Sequence, residues 1–360
     1  MTRNGRTDTA LQEEQRAQTR LAFGALLVPL FFVVMFSLCI IGTYHEPHPN
    51  GIKVGVVGRA AQTAPLRARM AEAAGSVFDI RAVASVSAAA HDVRQRDLNA
   101  AFVLSASPKQ PATVIIASGG GRLVATAAET LARTVAAAQG ARLVVRDVRP
   151  LAPGDEIGIG IFMFLIICTI GGYLAATLLE TVAPALLPNR RYPMIAAIAI
   201  LVPTLTYLIG GLGFGTYTGS VGTILAFIGV GVLYTLVVGL GTRLFQVLLG
   251  PAGLFVSLAI FVFLNIPSLG ATYTTTMLTP FWRAVNHVWI GAATVNAERS
   301  LLYFGWLDIG ADMLRLLAWA VVIVALLLLP VSRKLERQRE RSAITTTAFM
   351  PATAVLAEKP

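Results

Sequence analysis

The chain has 360 residues, of which 55% are hydrophobic and only 13% charged, and its mean hydropathy is +0.69. A water-soluble domain cannot bury so much apolar surface in its core, so the composition excludes an ordinary soluble protein and predicts several membrane spans. Basic residues outnumber acidic ones by 29 to 19, but they stand beside apolar runs and form no stripe interleaved with aromatic residues, so we expect no nucleic-acid partner.

Six apolar stretches have the length of a membrane-crossing helix or approach it. The hydrocarbon layer is about 30 Å thick and takes about 20 helical residues to cross. The predicted spans are residues 21–42, 157–180, 194–212, 220–242, 251–266 and 314–332. The fifth is short, and an alternative extends it back to Leu244 with a kink. The predicted fold class is an α-helical integral membrane protein with an extracytoplasmic α/β domain between helices 1 and 2.

Basic residues next to these stretches predict the orientation of the chain, because Arg and Lys in short loops stay in the cytoplasm. Arg16 and Arg20 precede the first stretch, Arg190 and Arg191 follow the second, and further basic residues follow the last. We therefore expect a multi-pass protein of the bacterial plasma membrane with residues 1–20 and 333–360 cytoplasmic, and residues 43–156 and 267–311 outside. The tail becomes rich in Ser, Thr, Ala and Pro after Ser342, which predicts disorder there.

Residues 43–156 have a different pattern, in which short apolar runs alternate with amphipathic stretches. Strands are predicted at 52–57, 78–83, 101–104, 113–117 and 142–148, and helices at 64–74, 87–97 and 122–138. This alternation predicts a small α/β sandwich with a largely parallel sheet. Gly119, Gly120 and Gly121 form the turn before the long helix.

Sequence motifs for catalysis or cofactor binding are absent. Nothing matches the P-loop pattern, so the chain does not hydrolyse ATP by itself. His45, Glu46 and His48 are possible metal ligands, but Pro47 and Pro49 prevent a helix that would align them, which favours an exposed linker. An intramembrane enzyme would need paired catalytic polar groups at one depth, and no obvious pair exists. We expect no catalytic residue, no metal and no cofactor in this chain.

The stretch from Asn265 to Gly305 has two interpretations. A helix broken by Asn265 and Pro267 and followed by an apolar segment with a few Arg and His residues cannot face lipid. In the first interpretation it is buried in protein or lines a wet cavity. In the second it is an external loop that lies on the headgroups and is anchored by Trp282 and Trp289.

These residues carry a resemblance to a known family. The order of one span, an outside α/β domain and five spans, with the pattern Asn265-x-Pro267-Ser268-x-Gly270-Ala271 and a later Arg299-x-x-x-Tyr303-Phe304, resembles the type-2 ABC exporter permeases, especially their phage-infection-protein-like branch. The architecture is similar over nearly the whole chain, whereas only 265–305 is similar residue by residue. Trp289 and Ile290 stand before Gly291 where the family often has a proline.

The resemblance implies the membrane half of an exporter that works with a separate ATPase subunit, which binds ATP and Mg, and with a second permease in a homo- or heterodimer. It implies that the turn between the second and third spans contacts the ATPase through Leu187, Pro188, Asn189, Arg190, Arg191 and Tyr192. It also implies a re-entrant translocation segment at the outer mouth that includes Asn265, Pro267, Ser268, Gly270, Arg283 and Arg299. Positive charge that only orients the chain explains the arginines of the turn equally well.

Two functions remain open at this point. The first is an ATP-driven exporter, whose apolar spans suit a lipid-like or amphipathic substrate better than an ion. The alternative is a membrane-anchored binding or scaffold protein, in which the α/β domain recognises an envelope component or a partner.

Overall fold

The computed structural model describes residues 15–16, 18–19, 22–23, 26, 29–45, 49–59, 63–68, 75–105 and 110–348, with side chains described as far as residue 342. The chain forms two compact units, residues 1–46 and 47–360. The described part of the first unit contains the apolar helix α1 (Pro29–Tyr44), which lies largely within the predicted first span. Apolar side chains such as Val33 and Leu38 are exposed on α1, as a helix solvated by lipid requires.

The second unit begins with a sheet of five strands in the order β2-β1-β3-β4-β5. Its strands and helices are β1 (Ile52–Val57), β2 (Phe78–Ala82), α2 (Val86–Arg94), β3 (Ala100–Val103), β4 (Ala112–Ile116), α3 (Arg122–Ala138) and β5 (Leu143–Asp147). The five predicted strands and the predicted helices 87–97 and 122–138 are confirmed, with boundaries shifted by at most three residues. The predicted helix 64–74 is described only at 63–68, where it is helical.

Three of the four strand pairings are parallel, which confirms the prediction of a largely parallel sheet. The exception is β3 with β4, which pair antiparallel with Ala100 opposite Ile116. A parallel pair needs a crossover of about a dozen residues or more. The segment between Val103 and Ala112 is too short for that, so the chain turns back as a hairpin.

The two faces of the sheet are covered differently. Helix α3 packs one face with small residues, including Ala125, Ala128 and Ala132, so its backbone comes close to Phe102 and Val114. On the other face α2 packs beside a side chain from far along the chain, Phe304, which belongs to the same buried cluster. The sheet and the helices that follow it therefore share one core within the second unit.

Among the described residues, four helices are long and apolar enough to cross a membrane. They are α4 (Gly160–Val182), α5 (Pro188–Gly213), α6 (Val221–Leu249) and α10 (Ile309–Leu328). A shorter apolar helix, α7 (Ala252–Ser268), lies where the fifth span was predicted, just as α1 lies at the first. In the part of the chain that is described, the six predicted spans thus correspond to four candidate spans and two shorter apolar helices.

Helix α4 begins with an acidic cap. Asp155 accepts the backbone N–H groups of Ile159 at 2.9 Å and of Gly160 at 3.0 Å, which satisfies donors that the first turn of a helix leaves free. Burial raises the pKa of the Asp155 carboxyl, although these hydrogen bonds act in the opposite direction. The cap fixes the start of α4 directly beneath the sheet.

Helices α4 and α6 cross at two glycines. A Cβ added at Gly172 would lie 3.2 Å from the backbone nitrogen of Gly239 and still closer to the backbone oxygen of Thr235. A Cβ added at Gly239 would lie 3.2 Å from the backbone oxygen of Gly172. Lipid-embedded helices gain stability from such close backbone approach, since apolar burial gives them little driving force. The crossing holds the two helices at one fixed position along their length.

Helix α6 is longer than the sequence predicted, because it continues past residue 242 to Leu249. Leu244 therefore belongs to α6, and the alternative that extended the fifth span back to it is wrong. The break falls at Gly250, whose φ of 63° favours glycine, and is followed by Pro251. The chain turns back so tightly there that Gly253 lies against the backbone of Phe245.

Between α7 and α10 lie α8 (Pro280–Val288), which is partly exposed, and α9 (Ile290–Tyr303), which completes the interior. With 14 residues, α9 is too short to cross the bilayer. It packs against α4, α6 and α10, and nearly all of its side chains are buried. Of the two interpretations of the 265–305 stretch, burial in protein holds for residues 265–271 and for α9, whereas α8 exposes Phe281 and Val288.

Disorder was predicted after Ser342, but the chain remains helical as far as Ala348. Helix α11 runs from Pro330 to Ala348, starting with a proline at its first position. Glu336 and Glu340 are buried, so packing stabilises the turns of α11 before residue 342, and the helix continues from them to Ala348. Residues 349–360 lie outside the described part of the chain.

Candidate functional site

A buried ion cluster joins three helices at the end of the bundle farthest from the sheet. Arg243 of α6 contacts Glu180 of α4 at 2.6 Å and Glu336 of α11 at 2.8 Å. The Arg243 side chain is only 1% exposed, so water contributes little to its solvation. A charge buried to this extent is tolerated when it is paired and hydrogen-bonded, which both carboxylates provide.

Arg191 adds the second cation to the cluster. Its guanidinium lies 3.1 Å from Glu180 and also donates to the backbone carbonyls of Ala183, at 3.1 Å, and of Pro184, at 3.0 Å. Ala183 and Pro184 lie in the turn between α4 and α5. Arg191 thereby ties the turn to the body of the bundle.

Tyr192 completes the attachment, since its hydroxyl donates to Glu336 at 3.0 Å. Of the residues predicted to contact an ATPase, Leu187, Asn189 and Arg190 are exposed, Pro188 and Tyr192 are partly buried, and Arg191 is buried. Val182, 79% exposed, adds an apolar side chain beside the turn. We call the exposed group Val182, Leu187, Asn189 and Arg190 the turn surface.

A cavity of about 470 Å³ lies beside the cluster between α5, α6, α10 and α11. One side is apolar and the other carries charged groups, and the lining includes Pro188, Tyr192, Leu240, Leu327, Arg333 and Glu336. Burial, and then the neighbouring Glu336, raise the pKa of the nearby Glu340 carboxyl. This end of the bundle therefore combines fixed charges with a cleft of mixed polarity.

The predicted re-entrant residues hold a fold-back after α7, which extends from Arg299 at the sheet end of the bundle to Asn265 near the middle of α4 and α6. Asn265 is fully buried and donates to the hydroxyl of Tyr234 at 2.6 Å, and that hydroxyl contacts Thr169 at 2.6 Å. Gly291 is needed opposite Asn265, because a Cβ there would collide with the Asn265 side chain. Polar groups of α4, α6 and α7 thus form one hydrogen-bonded chain in an apolar interior, while the Oδ1 atom of Asn265 has no hydrogen-bond partner among the described residues.

Backbone carbonyls of the irregular segment after Pro267 accept hydrogen bonds from side chains. Asn286 donates to the carbonyl of Ser268 at 2.7 Å, and Arg283 to that of Leu278 at 3.0 Å. Arg299 donates to the carbonyls of Gly270 and Ala271, at 3.3 and 2.8 Å. This placement shows how irregular backbone is tolerated in an apolar interior. Asn286 was not singled out from the sequence.

Sequence reasoning also missed Glu298, which lies on α9. Its side chain is fully buried, and neither carboxyl oxygen has a hydrogen-bond partner among the described residues. Burial raises the pKa of this carboxyl well above its ordinary value. An acidic residue within a run of small and apolar residues was the available signal.

The structure gives no support to the metal hypothesis in the region that it covers. The described residues contain no group of three or more His, Cys, Asp or Glu side chains placed to hold a metal ion. His45 contacts the carbonyls of Ile41 and Gly42 instead. Glu46 and His48 lie outside the described residues.

Comparison with known proteins assigns no family to the chain. No protein-family model, no curated protein and no solved structure matches it. What can be said of function therefore comes from the chemistry of the sites themselves.

Proposed function

We propose that the chain is the membrane-spanning permease subunit of an ATP-driven exporter of the type-2 ABC class. In this proposal α1 and α7 join the four candidate spans to make six, both termini are cytoplasmic, and the membrane is the bacterial plasma membrane. A separate ATPase subunit binds ATP and Mg and contacts the turn surface, and a second permease subunit completes the complex. The substrate is lipid-like or amphipathic.

The observation that supports this proposal is the way the turn between α4 and α5 is mounted. A turn that transmits motion from a partner must be firmly attached to the helices it moves, yet leave groups free for contact. Arg191 and Tyr192 attach it through Glu180 and Glu336. Leu187 and Arg190 remain exposed, which gives the turn surface an apolar contact and a positive charge.

The alternative is a membrane-anchored binding protein whose α/β region recognises an envelope component or partner. A polar cavity between the sheet and the 265–305 stretch favours it, because such a cavity can receive a ligand without any ATPase. The two functions differ in their expected partner, so one experiment separates them.

The test is affinity purification of the tagged full chain from its native membrane in a mild detergent, followed by identification of bound proteins. We expect a P-loop ATPase to co-purify, and we expect Arg190→Glu to remove it by reversing charge on the turn surface. Arg133→Glu, which changes an exposed arginine on α3, is the matched control and should retain the ATPase.

Arg191→Ala is unsuitable for this test, because Arg191 is buried and its loss would disturb the bundle itself. An eluate with an envelope protein and no ATPase would favour the binding protein. Retention of the ATPase by Arg190→Glu would overturn the assignment of the turn surface.

A further inference from the structure

A small polar cavity of about 170 Å³ lies where the sheet meets the segment between α7 and α10. Three parts of the chain line it, namely the end of α2, the start of α3, and the Thr274–Thr276 segment together with α9. A water molecule occupies about 30 Å³ in the liquid, so the cavity has room for a group the size of a phosphate. It is distinct from the ion cluster, which lies at the other end of the bundle.

The cavity lining carries two guanidinium groups, Arg96 and Arg299, and no carboxylate. Arg299 is only 6% exposed and forms no ion pair with a described residue, since its hydrogen bonds go to carbonyls. Burial, and then the nearby Arg96, lower the pKa of Arg299 to about 10, so it stays charged at neutral pH. Arg299 is buried and Arg96 is partly buried, and the two cations repel one another, so an anionic ligand between them would relieve that repulsion.

Asp308 and Asp312 are the nearest acids, and both act on Arg96. Neither lines the cavity, and Asp312 lies 3.8 Å from Arg315. Arg96 instead donates to the Ser300 hydroxyl at 3.2 Å and places its guanidinium 5.3 Å from the centre of the Phe304 ring. These contacts hold the charge in position at the cavity.

The backbone at Arg96 indicates that its side chain has a role. Its φ of 64° is left-handed, a conformation that glycine favours after a helix and that is strained for an arginine. Strained residues persist where the surrounding structure over-determines them, and they cluster at ligand sites.

Hydrogen-bond donors other than the two arginines also line the cavity. Helix α3 begins at Arg122 after the N-cap residue Gly121, with no side-chain cap among the described residues, so the positive end of its dipole lies at this cavity. Gly121 permits the approach, because a Cβ there would collide with the Thr274 side chain. The Thr274 and Thr276 hydroxyls lie 2.9 Å apart, so one donates to the other and the second keeps a proton for a ligand.

We propose that this cavity binds an oxyanion of the phosphate type, with Arg96 and Arg299 supplying charge and the start of α3 supplying backbone donors. Paired guanidinium groups and a helix N-terminus are both suited to tetrahedral anions. The phosphate is either a free ion or part of a lipid headgroup, since the cavity lies where the sheet meets the membrane helices. The site does not depend on the exporter proposal.

The test uses the full chain in maltoside micelles, which contain no phosphate. Inorganic phosphate is titrated by calorimetry, with chloride at matched ionic strength as the reference. In parallel, native mass spectrometry compares retention of phosphatidylglycerol with that of an uncharged glucosyl diacylglycerol. The variants are Arg96→Gly, Arg96→Lys and, as control, Arg133→Gln on the exposed side of α3.

We expect Arg96→Gly to weaken binding by at least about tenfold, since it removes a charge-assisted contact. The same change relieves the backbone strain, so its unfolding midpoint without ligand should not fall. Arg96→Lys should bind more tightly than Arg96→Gly, and Arg133→Gln should bind like the wild type. A purely structural role for Arg96 predicts the reverse, with lower stability and unchanged binding.

Calorimetric phosphate binding that depends on Arg96 would support a free-ion site. Preferential retention of phosphatidylglycerol that depends on Arg96, without binding of free phosphate, would support a lipid-headgroup site. Absence of both, or binding unchanged in Arg96→Gly, would overturn the proposal. None of these outcomes depends on whether an ATPase co-purifies, so failure here and failure of the exporter proposal are distinguishable.

Discussion

Arg190 and Arg191 are adjacent in sequence but lie in opposite environments. Arg190 is exposed on the turn, whereas Arg191 is buried against Glu180. The positive-inside pattern treats the two residues alike, because it depends on the number of charges and not on their contacts. Which arginine is free to meet a partner depends on the position of Glu180 at the end of α4.

At the same scale, Arg243→Met tests the ion cluster. We expect it to lower the free energy of unfolding by about 3–5 kcal/mol, because Glu180 and Glu336 lose the cation they share. Denaturant titration in mixed micelles measures the change. Arg190→Met is the matched control, with an expected change below about 0.5 kcal/mol. Equal effects of the two substitutions would show that the cluster contributes no stability.

Glu298 gives a prediction of pH dependence. Since burial raises its pKa, the folded protein favours the protonated carboxyl. The stability this provides is present in full below the unfolded-state pKa of about 4.3, declines as the pH rises, and is lost once the pH passes the folded-state pKa. Glu298→Gln is neutral at every pH and similar in shape. We expect the unfolding midpoint of the wild type to fall more than that of Glu298→Gln between acidic and alkaline buffer. Parallel curves would show that Glu298 does not titrate in this way.

At the scale of elements, the packing of α4 on α6 depends on the absence of side chains. Backbone atoms of Gly172 and Gly239 approach each other where any larger residue would force the helices apart. Composition alone does not reveal this, because both helices carry several glycines. Gly229 on α6, for example, has no atom within 4 Å of an added Cβ and no packing role.

Gly172→Ala therefore has the opposite expected effect from Gly229→Ala. The first places a methyl group against backbone, which cannot move aside, and should destabilise the fold by about 1–3 kcal/mol. The second should be neutral or stabilising by up to about 1 kcal/mol, because alanine favours helix. Thermal unfolding followed by circular dichroism compares them. A loss of stability in Gly229→Ala as large as in Gly172→Ala would contradict the crossing.

At the scale of the whole molecule, the sheet and the ion cluster lie at opposite ends of α4. Helix α4 rises about 1.5 Å per residue between Gly160 and Glu180, which separates its ends by about 30 Å, the thickness of the hydrocarbon layer. The proposed orientation puts the sheet outside and the cluster in the cytoplasm.

Cysteine labelling tests this orientation, with single cysteines at position 133 on α3 and position 190 on the turn. A membrane-impermeant maleimide should label position 133 in intact cells and position 190 only after permeabilisation. The native thiols of Cys39 and Cys168 are buried, so they give little background. Labelling of position 190 alone in intact cells would invert the topology and remove the exporter proposal with it.

The sequence by itself determined the membrane class and most of the elements. Apolar runs of fixed length, alternating strand and helix patterns and the glycines before α3 are local signals, and each is set by the solvent and the nearby chain. The boundary at Leu249 could not be predicted, because Arg339, distant in sequence, donates to the carbonyl of Val247 at the end of α6.

Only the tertiary structure decided the sites. It brought Glu180, Arg243 and Glu336 together from three helices, and it placed Arg96 beside Arg299 across a cavity. It also left the Glu298 carboxyl without a hydrogen-bond partner among the described residues, although Arg299 is its neighbour in the chain. Charge pairing and burial depend on distance in space, and a periodic pattern gives no information about which distant residues meet.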